Sequence, residues 1–164
     1  MKKANTYLLE EVIRGRAFVF GDNINTDLIH PAKYFSLDYK KIKEGLFKGI
    51  DSSLAKRISE KNSVIVAGKN FGCGSSREVS AQAFVLNNIK VIIAESFARI
   101  FFRNCINQGI ILVECPNILA MVKEQDELII NVTTGNIKNI NTGKVFNGTV
   151  FKMILMQEGV HCTC

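Results

Sequence analysis

Between residues 64 and 113 the chain alternates short apolar runs with longer helical ones, a rhythm that few folds accommodate. Val64-Ile65-Val66-Ala67 leads, and a helical pattern follows from Arg77 to about Asn88, with Val79, Ala83, Phe84 and Leu86 roughly on one face. Lys90 to Ala94 is apolar again. Ser96 to Gly109 reads as a second helix carrying Phe97, Ile100, Phe101 and Ile106, stopped by Gly109, before a third strand from Ile110 to Val113. Continuous apolar runs joined by helices predict parallel strands covered on both faces. Upstream, Ala17-Phe18-Val19-Phe20 reads as a short strand, and residues 38 to 60 as two charged helical pieces broken near Gly45 and Gly49. After Pro116 the character changes. Leu128 to Val132, Thr134-Gly135-Asn136 and Asn141-Thr142-Gly143 read as β-hairpins with tight turns. The expected fold is α/β: a mixed sheet with a parallel βαβαβ centre and added β-hairpins, built on one core in a single domain over residues 1–164.

Composition narrows the function. Apolar residues make up 47% and charged ones 22%, which suits a folded chain, and no apolar run approaches the roughly 18 residues of a membrane span. The opening Met1-Lys2-Lys3-Ala4-Asn5-Thr6-Tyr7 has no apolar stretch behind it, so no secretory signal is expected. The net charge of +6 suits an acidic substrate or partner surface. The 21 basic residues are scattered with few interleaved aromatics, which disfavours nucleic acid. An odd five cysteines (Cys73, Cys105, Cys115, Cys162 and Cys164) predict reduced thiols in a cytoplasmic protein. Their spacings match no zinc pattern, and Cys162-Thr163-Cys164 reads better as a polar tail with incidental thiols, so no metal is expected on this chain.

Residues 68 to 78, Gly-Lys-Asn-Phe-Gly-Cys-Gly-Ser-Ser-Arg-Glu, join a strand to a helix and carry the densest chemistry. Such a turn presents backbone N–H groups at a helix N-terminus, where the macrodipole favours anions. Ser75-x-x-Glu78 also fits a capping box, which accounts for those two residues but not for Gly72, Gly74, Ser76 and Arg77 beside them. Local residues leave both readings open. The glycine spacing is neither a P-loop nor a Rossmann fingerprint, which argues against a nucleotide. Cys73 as a nucleophile would need His30 beside it. Gly21-Asp22-Asn23-Ile24-Asn25-Thr26-Asp27 is turn chemistry first, and lacks the closing glutamate of a calcium loop. Ser96 is a plausible cap for the helix that follows it. Arg99 and Arg103 share a helix face and are either surface charge or cleft-facing.

These three stretches, in this order, resemble the small subunits of 3-isopropylmalate dehydratase, the swivel domain of the aconitase superfamily. The motifs are Gly21 to Asp27 with Pro31 behind it, Asn70 to Glu78, and Ser96-Phe97-Ala98-Arg99-Ile100-Phe101-Phe102-Arg103-Asn104, and the likeness spans roughly residues 15 to 160. The resemblance implies a swivelling β/β/α domain of the aconitase C-terminal type. It implies a partner, a large subunit that carries a [4Fe–4S] cluster, with no cofactor bound by this chain. The implied reaction is a hydro-lyase isomerisation of 2-isopropylmalate to 3-isopropylmalate through an alkene, in leucine biosynthesis, on a small dicarboxylate or tricarboxylate substrate.

Carried over by motif, the resemblance makes Ser75 the base, with Ser76 and Arg77 binding a substrate carboxylate. Tyr34, Phe35, Ser36 and Leu37 fall where the family touches the variable substituent. Asp22, Asn23, Thr26, Asp27, Gly72, Gly74 and Arg99 line or brace the cleft. The 34–38 loop holds no arginine, which favours an apolar substituent over the longer acid of homoaconitate. Val79-Ser80-Ala81-Gln82 stands where most relatives carry histidine and alanine, so dehydratases of citraconate, methylmalate or dimethylmalate stay open, as does a non-catalytic anion-binding module.

Overall fold

The computed structural model describes residues 12–75, 77–156 and 159–161, the last two strands by their backbone alone. Ser76 and the Cys162-Thr163-Cys164 tail lie outside the described residues. Four parallel strands form the centre: β1 (Val12–Val19), β2 (Ser63–Ala67), β3 (Val91–Ala94) and β4 (Ile111–Glu114). The crossovers run through α1 (Thr26–Ile29), a 3-10 turn at Ala32–Tyr34, α2 (Tyr39–Glu44) and α3 (Leu54–Ser59), then α4 (Glu78–Leu86), then α5 (Arg99–Asn107). After β4 come a short α6 (Ile118–Met121) and the antiparallel strands β5 (Glu127–Asn131), β6 (Asn136–Asn139), β7 (Val145–Asn147) and β8 (Thr149–Phe151). The eight are ordered β7-β6-β5-β1-β2-β3-β4-β8, and β9 (Ile154–Met156) and β10 (Gly159–His161) pair separately.

The two edge strands of the eight, β7 and β8, are joined by Gly148 alone, so the sheet curls until its edges meet. Gly148 N–H donates to the Gly135 carbonyl at 2.9 Å, at the end of the β6–β7 pairing. The curl divides the interior, which corrects the expectation of one core. On one face Phe18, Ile65, Ala67, Ile92 and Leu112 pack against helix residues such as Ile42, Ile58, Phe84 and Phe101. On the other, Ala17, Val64, Val66, Ile93 and Val113 pack against Ile118, Leu128, Ile130 and Ile137. Strands β2 and β3 are therefore buried on both sides and at every position.

Strand β1 is longer than the sequence suggested, starting at Val12 instead of Ala17. Its first half alternates exposed and buried positions, so Arg14 and Arg16 face solvent while Ile13 is buried. Arg14 Nε reaches Glu127 Oε1 of β5 at 2.6 Å. The stripe expected on α5 is also corrected at one position: Phe101 and Ile106 are buried, but Ile100 is 57% exposed.

Candidate active site at the carboxyl ends of the parallel strands

Parallel strands send their carboxyl ends to one edge of the sheet, and each of the three motifs leaves one of them there: β1 opens into residues 20–25, β2 into 68–77 and β3 into 95–98. That edge is where open α/β sheets bind ligands. The loops are stitched together by their backbones. Gly72 N–H donates to Ile24 O at 2.9 Å, Thr26 N–H to Cys73 O at 2.9 Å, and Asn23 N–H to Lys69 O at 2.8 Å. From the third loop, Phe71 N–H donates to Ser96 O at 3.0 Å, and Ala98 N–H returns a bond to Phe71 O at 2.9 Å.

Side chains complete the stitching. Asp22 Oδ1 accepts from Lys69 N at 2.7 Å, and Asn70 Nδ2 donates to Asn23 Oδ1 at 3.1 Å. The Thr26 hydroxyl, buried, donates to the Ser75 carbonyl at 3.0 Å and so fixes the residue whose side chain is of interest. Asn25 caps α1 by accepting from Leu28 N at 3.0 Å. Phe71 anchors the glycine loop from beneath, fully buried with its ring edge-on to Phe84, Phe97 and Phe101. Gly72, at φ +81°, lies so close over the Phe101 ring that a Cβ would overlap it.

Two capping expectations fail, for a common reason. Ser75 does not cap α4: the N-cap is Arg77, in extended conformation at φ −119° and ψ 149°, and its side chain makes no cap hydrogen bond. Glu78 accepts instead from Gln108 Nε2 of the turn after α5, at 2.9 Å. Ser96 does not cap α5 either, because the N-cap there is Ala98 and the Ser96 hydroxyl accepts from Asn70 N at 2.8 Å. In both cases loop-to-loop bonding moves the helix start later than the sequence suggests. Among the described residues no side chain caps the first turn of α4, which is open there to an external anion, with the exposed Ser75 and Arg77 just ahead of it.

The loop expected to touch a substituent folds onto the same place. Arg77 Cζ lies 5.5 Å from the centroid of the Phe35 ring, and Lys33 Nζ lies 5.3 Å from that of Tyr34. Ser36 is spent locally, its hydroxyl accepting from Asp38 N at 3.0 Å, and Leu37 is 99% exposed. Asp27, Gly74 and Arg99 are exposed at the rim. Ser76 falls outside the described residues.

A cysteine–histidine pair does not form. His30 is buried, with Nε2 3.1 Å from the Ile42 carbonyl and Nδ1 without a partner. Burial pushes the Cys105 thiol up strongly, and burial with Glu95 nearby pushes Cys115 up, so neither is a ready thiolate. Among the described residues no group of three or more His, Cys, Asp or Glu side chains is placed to hold a metal ion. Reading the sequence missed His30 and Ser96 as supports of these loops. Only the proline after His30 hinted that it leaves α1 extended.

The sequence matches the family of the aconitase C-terminal domain over residues 22–118. It is 44% identical over 152 residues to the isopropylmalate/citramalate isomerase small subunit of Methanocaldococcus jannaschii, covering 91% of this chain and 89% of that one. It is 40% identical to the 3-isopropylmalate dehydratase small subunit of Clostridioides difficile, covering 91% of this chain and 94% of its relative. A solved structure of 3-isopropylmalate dehydratase from M. jannaschii superposes with a TM-score of 0.80 at 39% identity, over 86% of this chain and 83% of the other.

Proposed function

The chain belongs to the aconitase C-terminal domain family, among the small subunits of 3-isopropylmalate dehydratase, and from that premise we propose that it completes a hydro-lyase active site in trans. The substrate is 2-isopropylmalate and the product 3-isopropylmalate, on the route to leucine. The partner is a large subunit. An iron–sulfur cluster held by that subunit supplies Lewis-acid polarisation of the substrate hydroxyl.

Ser75 is the base that removes the proton from the carbon beside a substrate carboxylate. Serine is too weak an acid to act as an alkoxide in water, and Ser75 is exposed on this chain alone. The reaction therefore requires the partner to cover the loops and exclude water. Under that cover, the uncapped first turn of α4 and the Arg77 guanidinium stabilise negative charge at the serine oxygen. Arg77 grips a substrate carboxylate through charge-assisted bonds, with Ser76 beside it. Asp22, Asn23, Thr26, Gly72, Gly74 and Arg99 shape the loops and their rim. Tyr34, Phe35, Ser36 and Leu37 meet the substituent and, without an arginine among them, suit an apolar group.

The observation that carries this reading is an exposed Ser75, outside the N-cap position of α4, on loops that converge from three motifs. Ser75→Ala tests it: heteromer assembly stays intact while turnover falls at least ~100-fold, the scale of a lost general base. Unchanged turnover would remove Ser75 from the chemistry. Citramalate is a second substrate to assay, because the M. jannaschii relative is named for both acids.

A further inference from the structure

We propose that His30 is a positioning residue for substrate binding, a neutral ring that seats Phe35 on the scaffold and, through Phe35, sets the Arg77 guanidinium. The inference rests on the reading of Arg77 as the carboxylate grip.

His30 follows α1 directly and is extended, at φ −152° and ψ 90°, ahead of Pro31. The residue is 1% exposed. A carbonyl only accepts, so the Nε2 contact with Ile42 O at 3.1 Å places the proton on Nε2. Nδ1, buried and unpartnered, is then the unprotonated nitrogen; a second proton there would be a buried N–H with no acceptor. Burial accordingly lowers the imidazole pKa, opposed in part by the Ile42 carbonyl. Tyr34 lies 6.5 Å from the ring between centroids, with Lys33 over Tyr34 and Arg77 over Phe35.

The ring is held on one side by α2 and its turn. A Cβ on Gly45 would come within 2.5 Å of His30 Nε2 and of Tyr34 Cβ, so the glycine permits the close approach. On the other side His30 stacks on Phe35, 5.4 Å between centroids at 25°. The backbone bonds of the loop itself are local: Tyr34 N–H to Pro31 O at 2.9 Å and Phe35 N–H to Ala32 O at 3.0 Å. Tyr34 rests on the α2 turn at Gly45, and Phe35 rests on the body of the protein through the imidazole, with the Arg77 guanidinium over the ring that the imidazole seats.

Two variants separate the ring's two functions: His30→Gln keeps a donor for Ile42 O and loses the stack, while His30→Phe keeps the stack and loses the donor. In the heteromer, His30→Gln is expected to raise KM for isopropylmalate about tenfold with kcat within about twofold, and His30→Phe to do so less. Nitrogen-15 NMR of the unmodified chain should show His30 as the Nε2–H tautomer across pH 6 to 8, and His30→Gln should move the Arg77 side-chain resonances as the Phe35 ring shifts. Arg77 resonances and KM both unchanged in His30→Gln would overturn the proposal, as would an Nδ1–H tautomer in the unmodified chain. Arg77→Gln leaving KM unchanged while His30→Gln moves the Arg77 resonances would instead fault the reading of Arg77.

Discussion

At the scale of single residues the account rests on what Ser75, Arg77 and His30 are free to do. Ser75 shows why a matched pattern and a formed interaction differ. Ser75-x-x-Glu78 satisfies the capping-box spacing, yet the helix starts at Glu78, and the serine is held by its carbonyl through Thr26 instead. Arg77 is planar and forked where lysine is a point charge. Arg77→Lys should therefore lower kcat/KM about 10- to 100-fold, the equivalent of losing a charged hydrogen bond of about 1.5–3 kcal/mol, mostly through KM. Steady-state kinetics of the heteromer check this. His30 gives a pH dependence with a definite sign. Its pKa is lowered from the ordinary 6.5 on folding, so the folded state binds fewer protons than the unfolded one below that value. The stability tied to His30 is full above about pH 6.5 and falls as pH drops toward the lowered folded value. Urea melts between pH 5 and 7.5 should show this slope, and His30→Gln should flatten it.

Among the secondary elements, the parallel centre was the most legible part. Val64 to Ala67 and Val91 to Ala94 are buried on both faces, so their runs are unbroken and announce themselves. Strand β1 was half hidden because Arg14 and Arg16 interrupt its apolar pattern on a face open to solvent, while Gly15 brings no side chain to the buried face. The start of α5 was misplaced because Ser96 bonds Asn70 of another loop, a partner 26 residues away that no local pattern reveals. His30 was illegible for the same reason, since its partners belong to α2 and to a loop whose path the sequence does not fix. The closure of the sheet was also invisible, because it depends on Gly148. A Cβ there would come within 2.5 Å of Val113 Cγ1 and 2.8 Å of Glu114 O. Gly148→Ala should cost about 1–3 kcal/mol, as overpacking does. Chemical denaturation would register it as a lower midpoint at unchanged slope.

For the whole molecule, the placement of three distant motifs on one edge is the decisive fact. Only the parallel order of β1, β2 and β3 brings residues 22–27, 70–78 and 96–99 together. The resulting surface is open: Ser75, Arg77, Leu37 and Arg99 are all exposed. An exposed serine cannot be an alkoxide base, and an exposed Leu37 costs the molecule apolar contact with water. Both are explained if this edge is one half of a cleft that a second subunit closes. None of the described helices is long and apolar enough to cross a membrane. The most direct measurement is anaerobic reconstitution with the candidate large subunit, assaying 2-isopropylmalate with the unmodified chain and with Ser75→Ala. The account predicts turnover from the mixture, none from either subunit alone, and near-complete loss with Ser75→Ala in an intact complex. Equal turnover with Ser75→Ala, or full activity of the large subunit by itself, would contradict it.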